Sequence, residues 1–185
     1  LDRLKTALSS VLPANIIGRK LHIPFNCMAT VASAFRGAGF RGYAVLNVLP
    51  QQVEVVDFLP RKPEVLPAMA LDLGTTHLEA TLIDLFTGSM LAHGHAVNRQ
   101  IEYGADILAR IHFAEKQKGE DPDRHGLQAL QQAILSTIND LAEELAGKAA
   151  TTVDNIRALS ISGNTTMVHL FLGVSPYNIC REPYI

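Results

Sequence analysis

The stretch "PRKPEVLP", Pro60 to Pro67, places three prolines within eight residues. Each proline locks φ and removes a backbone donor, so the segment is stiff, extended and unable to join a helix. No other segment constrains the fold as strongly, because it marks the one clear domain boundary. The expectation is a small α/β domain over 1–60, a proline-rich linker over 61–68 and a larger α/β domain over 69–185. A chain of 185 residues accommodates two small domains, and 48% apolar residues supply a core.

In the first part, Leu1, Leu4, Leu8 and Leu12 recur at helical spacing and predict an amphipathic helix ended by Pro13. A second helix is expected over Asn26 to Phe35, with Val31, Ala32 and Phe35 inward. "GAGFRG", Gly37 to Gly42, is followed by a strand, which favours a turn over a phosphate loop. "YAVLNVL" and "VEVVDFL" flank Pro50-Gln51-Gln52 and read as a hairpin.

In the second part, Met69 to Leu73 reads as a short apolar strand. Leu78, Ala80 and Leu82 then alternate with His77, Glu79 and Thr81, as in a strand with one buried face. "LFTG" is a turn, and Ser89 to Val97 a third strand. Helices are expected over Gly104 to Glu115 and over Asp123 to Ala146, with Asp121-Pro122 as the start signal of the second. The apolar stripe Leu127, Leu130, Ile134, Ile138, Leu141 and Leu145 keeps to one helical face. Ile156 to Ile161 reads as a buried strand, followed by a helix that Thr165 caps and Gly173 ends. Strands and helices in this order indicate an α/β fold with a mixed sheet flanked by helices.

Composition excludes several classes. A formal net charge of −2 without charge blocks argues against nucleic acid as a partner. No apolar run approaches a membrane span and no signal-peptide pattern is visible, so a cytoplasmic location with no membrane partner is expected. Cys27 and Cys180 lack CxxC spacing and read as plain thiols, not as ligands of zinc or of an iron–sulfur cluster within this chain. The start at Leu1 and the stop at "REPYI" read as a piece of a longer protein.

Two loops carry the chemistry. In "LDLGTT", Leu71 to Thr76, Gly74 permits a tight turn, and Thr75 and Thr76 offer hydroxyls and N–H groups to a phosphate oxygen. Asp72, at the strand end, can hold a magnesium ion through water. An ordinary hairpin with threonine at its bend is the other reading. In "SISGNTTM", a strand runs through Ser162-Gly163-Asn164 into a helix at Thr165, which aims free N–H groups at one point and suits a phosphate. Asn164 either meets that phosphate or ties down its own loop. A Walker-type loop is excluded, because "LDLGTT" leads into a hairpin.

Smaller candidates are weighed against plainer roles. Asp106 and Arg110 lie one helical turn apart and are expected to pair on the surface, the alternative being Asp106 in the cleft near the water that attacks ATP. His93 and His95 share a strand face and offer two metal ligands without an evident third. His169 reads as a partly buried structural histidine.

Strand, D-x-G-T-T turn, two antiparallel strands and a later strand–small loop–helix resemble the phosphate-binding lobe of the acetate and sugar kinase, Hsc70 and actin superfamily. More narrowly, "ALDLGTTHLEATLIDLFTGSML", "YGADILARI" and "SISGNTTMVHLFLGVSP", in this order, resemble the reductive activators of corrinoid-dependent enzymes. The likeness covers roughly the last two-thirds of the chain. It implies the first half of an actin-like ATPase domain over 69–185, with 1–60 in the place of a small middle domain. It implies ATP and Mg2+ at Gly74, Thr75, Thr76, Ser162, Gly163, Asn164 and Thr165, with Asp72 and Asp106 as catalytic candidates.

In the family, a two-iron two-sulfur ferredoxin domain, absent from this chain, feeds electrons, and ATP is spent to return a cobalt(II) corrinoid to cobalt(I). The implied partner is the corrinoid protein of a methyltransferase system, and a homodimer is left open. This chain departs from the family pattern at His77 and Glu79 beside the loop, and at Asn98-Arg99-Gln100, where Asn-Pro-Gln is usual. On this reading the chain is half of an ATP site without turnover of its own. The alternatives are a small-molecule kinase of the same superfamily and a non-catalytic nucleotide-sensing or docking module.

Overall fold

The computed structural model describes residues 1–116 and 126–181. The chain divides into two compact units, Leu1–Glu64 and Val65–Ile185, each with its own core.

In the first unit the elements run α1 (Asp2–Ser9), β1 (Lys20–His22), α2 (Phe25–Gly37), β2 (Tyr43–Val48) and β3 (Gln52–Leu59). The sheet order is β1-β3-β2, with β1 parallel and β2 antiparallel to β3. The hairpin is therefore present, whereas β1, too short to show alternation, was not legible. Helix α1 ends at Ser9, short of Leu12. The Ser9 and Ser10 hydroxyls donate to the Lys5 and Ala7 carbonyls at 2.9 and 2.7 Å, a local competition with the helical ladder. Leu4, Ile23, Val31, Phe35, Val55 and Phe58 form the core, where the Phe35 and Phe58 rings meet edge to face at 5.0 Å.

The second unit contains β4 (Pro67–Leu73), β5 (His77–Asp84), β6 (Met90–Val97), α3 (Ile107–Lys116), α4 (Gly126–Lys148), β7 (Ala158–Gly163) and α5 (Thr165–Leu172). The four-stranded sheet has the order β6-β5-β4-β7; β4, β5 and β6 are antiparallel and β7 joins β4 in parallel. Because side chains alternate along a strand, Leu71, Leu73, Leu78, Ala80, Leu82 and Ala92 share one buried face. Leu130, Ile134, Ile138, Leu141 and Leu145 of α4, with Met167 and Leu170 of α5, cover it. The start signal assigned to Asp121-Pro122, and the assigned first residue Asp123, lie outside the described residues.

Strand β7 is not the buried Ile156–Ile161 segment expected. A 3-10 turn at Val153–Asn155 holds Ile156 back, through its N–H on the Val153 carbonyl at 2.9 Å, so the strand starts at Ala158. Among the described residues it pairs with β4 alone, and most of its side chains are exposed. Apolar residues at an edge strand give the same sequence signature as residues at a sheet centre. The other face of the sheet carries Asp72, His77, Glu79, His93, His95 and Ser162, all exposed. Among the described residues no helix is long and apolar enough to cross a membrane.

Candidate functional site

The parallel register of β4 with β7 builds the site. Asp72 pairs with Ser162 and Leu73 with Gly163, so the loops that leave the two strands start side by side. A sequence distance of about ninety residues becomes direct contact. The Ser162 hydroxyl donates to Asp72 Oδ1 at 3.2 Å, and Asn164 Nδ2 donates to Thr75 Oγ1 at 3.3 Å. Close packing explains both glycines: a Cβ at Gly74 would run into the His77 carbonyl, and one at Gly163 would lie 2.9 Å from Leu73 Cβ.

Asn164, not Thr165, is the cap of α5. Its Oδ1 accepts the Met167 N–H at 3.0 Å, and Gly173 closes the helix in the left-handed conformation at φ 67°. Asn164 thus acts as a loop tie, its one side chain binding both its own helix and the opposite loop. Thr76 and Thr165 are exposed beside them, and Thr75 is half-buried.

Asp72 is exposed and gives one oxygen to Ser162, which leaves carboxylate capacity for a hydrated cation. A depression of about 260 Å3 lies beside it, lined by Ala70, Leu71, Asp72, Glu79, Thr81, Ser160 and Ser162. That is below the roughly 300–1,000 Å3 of sites that enclose a whole organic ligand. Among the described residues no group of three or more His, Cys, Asp or Glu is arranged as a metal cage. Magnesium keeps several of its waters and needs few protein ligands beside phosphate oxygens, so a single exposed Asp72 is compatible with holding it through a water. His93 Nε2 instead meets Glu79 Oε1 at 2.9 Å, and the His95 ring stands edge-on to His77 at 6.4 Å.

Three residues of the supporting layer were not recognised as such from sequence. Asn98 is fully buried; its Nδ2 donates to the Gly74 carbonyl at 3.0 Å and its Oδ1 accepts the Gln100 N–H at 3.0 Å. Gln100, also fully buried, reaches the Leu130 carbonyl of α4 at 2.8 Å. The available signal was a pair of polar residues, Asn98 and Gln100, directly after a strand and before an apolar helix. Arg99 between them points outward, with Nη2 2.5 Å from Asp140 Oδ2.

Arg110 is the third, and it corrects the surface pair with Asp106. Its side chain is fully buried and donates from Nε to the Gly104 carbonyl at 2.9 Å. Burial holds the guanidinium below its ordinary value, while the Asp106 charge acts in the opposite direction. Asp106 itself is exposed and starts α3, with Oδ1 accepting the Ala109 N–H at 2.8 Å. That cap delays the helix to Ile107 from the expected Gly104. His169 is half-exposed and tied through Nδ1 to the Thr165 carbonyl at 2.7 Å, the structural role expected.

An antiparallel meander, a helical crossover, a parallel strand and two adjacent strand-end loops define the class: an α/β unit with a mixed sheet flanked by helices. The family model described as RACo middle region matches residues 67–185, the whole of this unit but its first two residues. The chain belongs to that family, the corrinoid reductive activators. The corrinoid activation enzyme RamQ of Eubacterium limosum is 31% identical over 146 residues, covering 78% of this chain and 24% of RamQ. A solved structure described as a reductive activator for corrinoid, iron-sulfur protein matches with TM-score 0.78 at 28% identity, covering 99% of this chain and 28% of that one. The chain thus spans about a quarter of the length of both.

Proposed function

We propose that this chain supplies one wall of a MgATP site in an iron–sulfur protein that reactivates a corrinoid partner by reducing cobalt(II) to cobalt(I). The observation that carries the reading is the pair of cross-loop hydrogen bonds, Ser162 to Asp72 and Asn164 to Thr75. They bring two small, polar, glycine-containing loops to one point, where neither would bind a polyphosphate alone. Thr75 and Thr76 would donate hydroxyl and backbone N–H bonds to phosphate oxygens, and Ser162, Gly163, Asn164 and Thr165 would face the same anion. Asp72 would orient a hydrated magnesium ion.

Such groups act by preorganised electrostatics: they wait in place for charge that develops on the phosphate and need no rearrangement. Asp106, exposed at the start of α3, is assigned the water beside the phosphate. The electron enters through a two-iron cluster held elsewhere in the full-length protein, since the two free thiols here, Cys27 and Cys180, fall short of four cluster ligands. The corrinoid protein of a methyltransferase system is the partner proposed. The family match leaves the small-molecule kinase without an observation of its own.

The test uses the full-length protein purified without oxygen. Iron and acid-labile sulfide are measured first, then ATP-dependent appearance of the cobalt(I) spectrum of a corrinoid protein. Two iron atoms per chain and cobalt(I) formation that Thr75→Ala abolishes are expected. Cobalt(I) formed at the same rate without ATP, or with Thr75→Ala and Asp72→Ala, would refute the nucleotide role of these loops.

A further inference from the structure

The two loops are tied a second time, through the interior. Gly74 accepts from Asn98 Nδ2, Asn98 Oδ1 accepts the Gln100 N–H, and Gln100 Oε1 accepts from Arg110 Nη1 at 3.3 Å. The same Nη1 lies 3.5 Å from Met167 Sδ, and the Met167 N–H donates to Asn164 Oδ1, whose amide reaches Thr75. Contacts therefore close a ring from the first loop to the second and back. Asn98, Gln100, Arg110 and Met167 are each fully buried. Arg110 is the single charged member, and the one whose side chain joins the half of the ring on Gln100 to the half on α5.

We propose that Arg110 is the positioning residue of the phosphate site, setting the spacing of the Gly74-Thr75 loop against the Asn164 loop from beneath, without touching the ligand. The inference rests on the nucleotide reading above. The chemistry favours arginine in this place. Its planar fork offers several donors in fixed directions and stays protonated in proteins, so one head spans Gly104, Gln100 and Met167.

The arrangement is not what stability alone favours. Arg110 Nη2 is buried with no hydrogen-bond partner among the described residues, so the cost of taking the guanidinium out of water is only partly offset by its bonds. What an apolar residue cannot do is hold Gln100 and α5 at a common distance. A polyphosphate that contacts both loops gains affinity when their separation is set in advance, because ordering is not charged against binding.

The experiment is a double-mutant cycle in the full-length protein, read as the dissociation constant for MgADP by calorimetry, with thermal melts recorded in parallel. Arg110→Met and Asn164→Ala cut the ring at two points that do not touch each other. Each single variant is expected to weaken MgADP by about 10-fold. The double variant is expected to match the worse single variant, since a ring already open loses little on a second cut. Independent sites would instead multiply to about 100-fold.

A role in stability alone predicts a lower melting temperature for Arg110→Met with unchanged affinity in the folded protein, and that result overturns the proposal. So does a multiplicative loss in the double variant. Should Arg110→Met not fold, Arg110→Lys, which keeps charge but not the fork, replaces it in the same cycle and is judged by the same two criteria. If the unaltered protein binds no MgADP, the nucleotide reading itself fails and takes this one with it, an outcome separate from a variant effect.

Discussion

Asn98 is the point at which the support of the first loop is most exposed to a single change. Asn98→Ala deletes a donor to Gly74 and an acceptor for the Gln100 N–H, both at 3.0 Å, in a site with 0% exposure. The stranded Gln100 N–H bears the full penalty of a buried unpaired donor, about 1–3 kcal/mol. At the half-buried Gly74 only the net worth of a hydrogen bond is counted, about 0.5–1.5 kcal/mol. The sum is about 1.5–4.5 kcal/mol.

Asn98→Asp separates the two bonds. It keeps the acceptor for Gln100 and sets a carboxylate oxygen against the Gly74 carbonyl, which disfavours ionisation and raises the folded pKa above the usual value of about 3.9. Protonated, the same oxygen donates to Gly74. The penalty is therefore absent below the unfolded pKa and grows as pH rises through and beyond it. Urea unfolding followed by far-UV circular dichroism, at pH 7 and near pH 3, reads both effects. Asn98→Asp is expected to approach the unaltered chain in acid, and Asn98→Ala to show the same deficit at either pH. A loss below about 0.5 kcal/mol for Asn98→Ala, or an Asn98→Asp deficit that widens in acid, would refute the reasoning.

Two further outcomes follow from other parts of the second unit. Asp84 is nearly buried, and its carboxylate accepts the Leu66 N–H at 2.9 Å, the Thr87 hydroxyl at 2.8 Å and the Phe86 N–H at 3.2 Å. The Leu66 bond, ahead of opposing burial and of Thr87 and Phe86, lowers its pKa below 3.8, so its stabilisation is present above that value and is lost as pH falls through the folded pKa. In acid-unfolding curves Asp84→Asn is expected to be less stable than the unaltered chain at neutral pH and to converge with it below pH 3.8. Gly74→Ala drives a Cβ into the His77 carbonyl and must open the β4–β5 turn. We expect a loss of about 1–3 kcal/mol in urea unfolding together with loss of MgADP binding by the full-length protein; retention of both would show that the turn relaxes freely.

Much of this protein is legible without coordinates. Period-2 alternation at Leu78, Ala80 and Leu82 and the helical stripe from Leu130 to Leu145 place the core of the second unit, because burial on one face leaves a periodic trace in the chain. The D-x-G-T-T and S-G-N-T turns are legible for a similar reason: tight turns and close approaches admit few residue types. Elements without such a trace were misplaced. β1 is too short for a period, Ser9 and Ser10 end α1 by local bonds that hydrophobicity does not encode, and β7, despite its apolar residues, has one strand neighbour among the described residues.

Only tertiary structure decided how the candidates combine. The parallel pairing of β4 with β7 joins Asp72 to Ser162 and Thr75 to Asn164 across about ninety residues, a contact no local rule contains. The fate of Arg110 is the sharper case. Its spacing from Asp106 is that of a surface ion pair, yet the packing of α3 turns its head inward to Gly104, Gln100 and Met167. Sequence spacing determines which side chains share a helix face. Whether that face meets water or the core depends on what the rest of the chain packs against it.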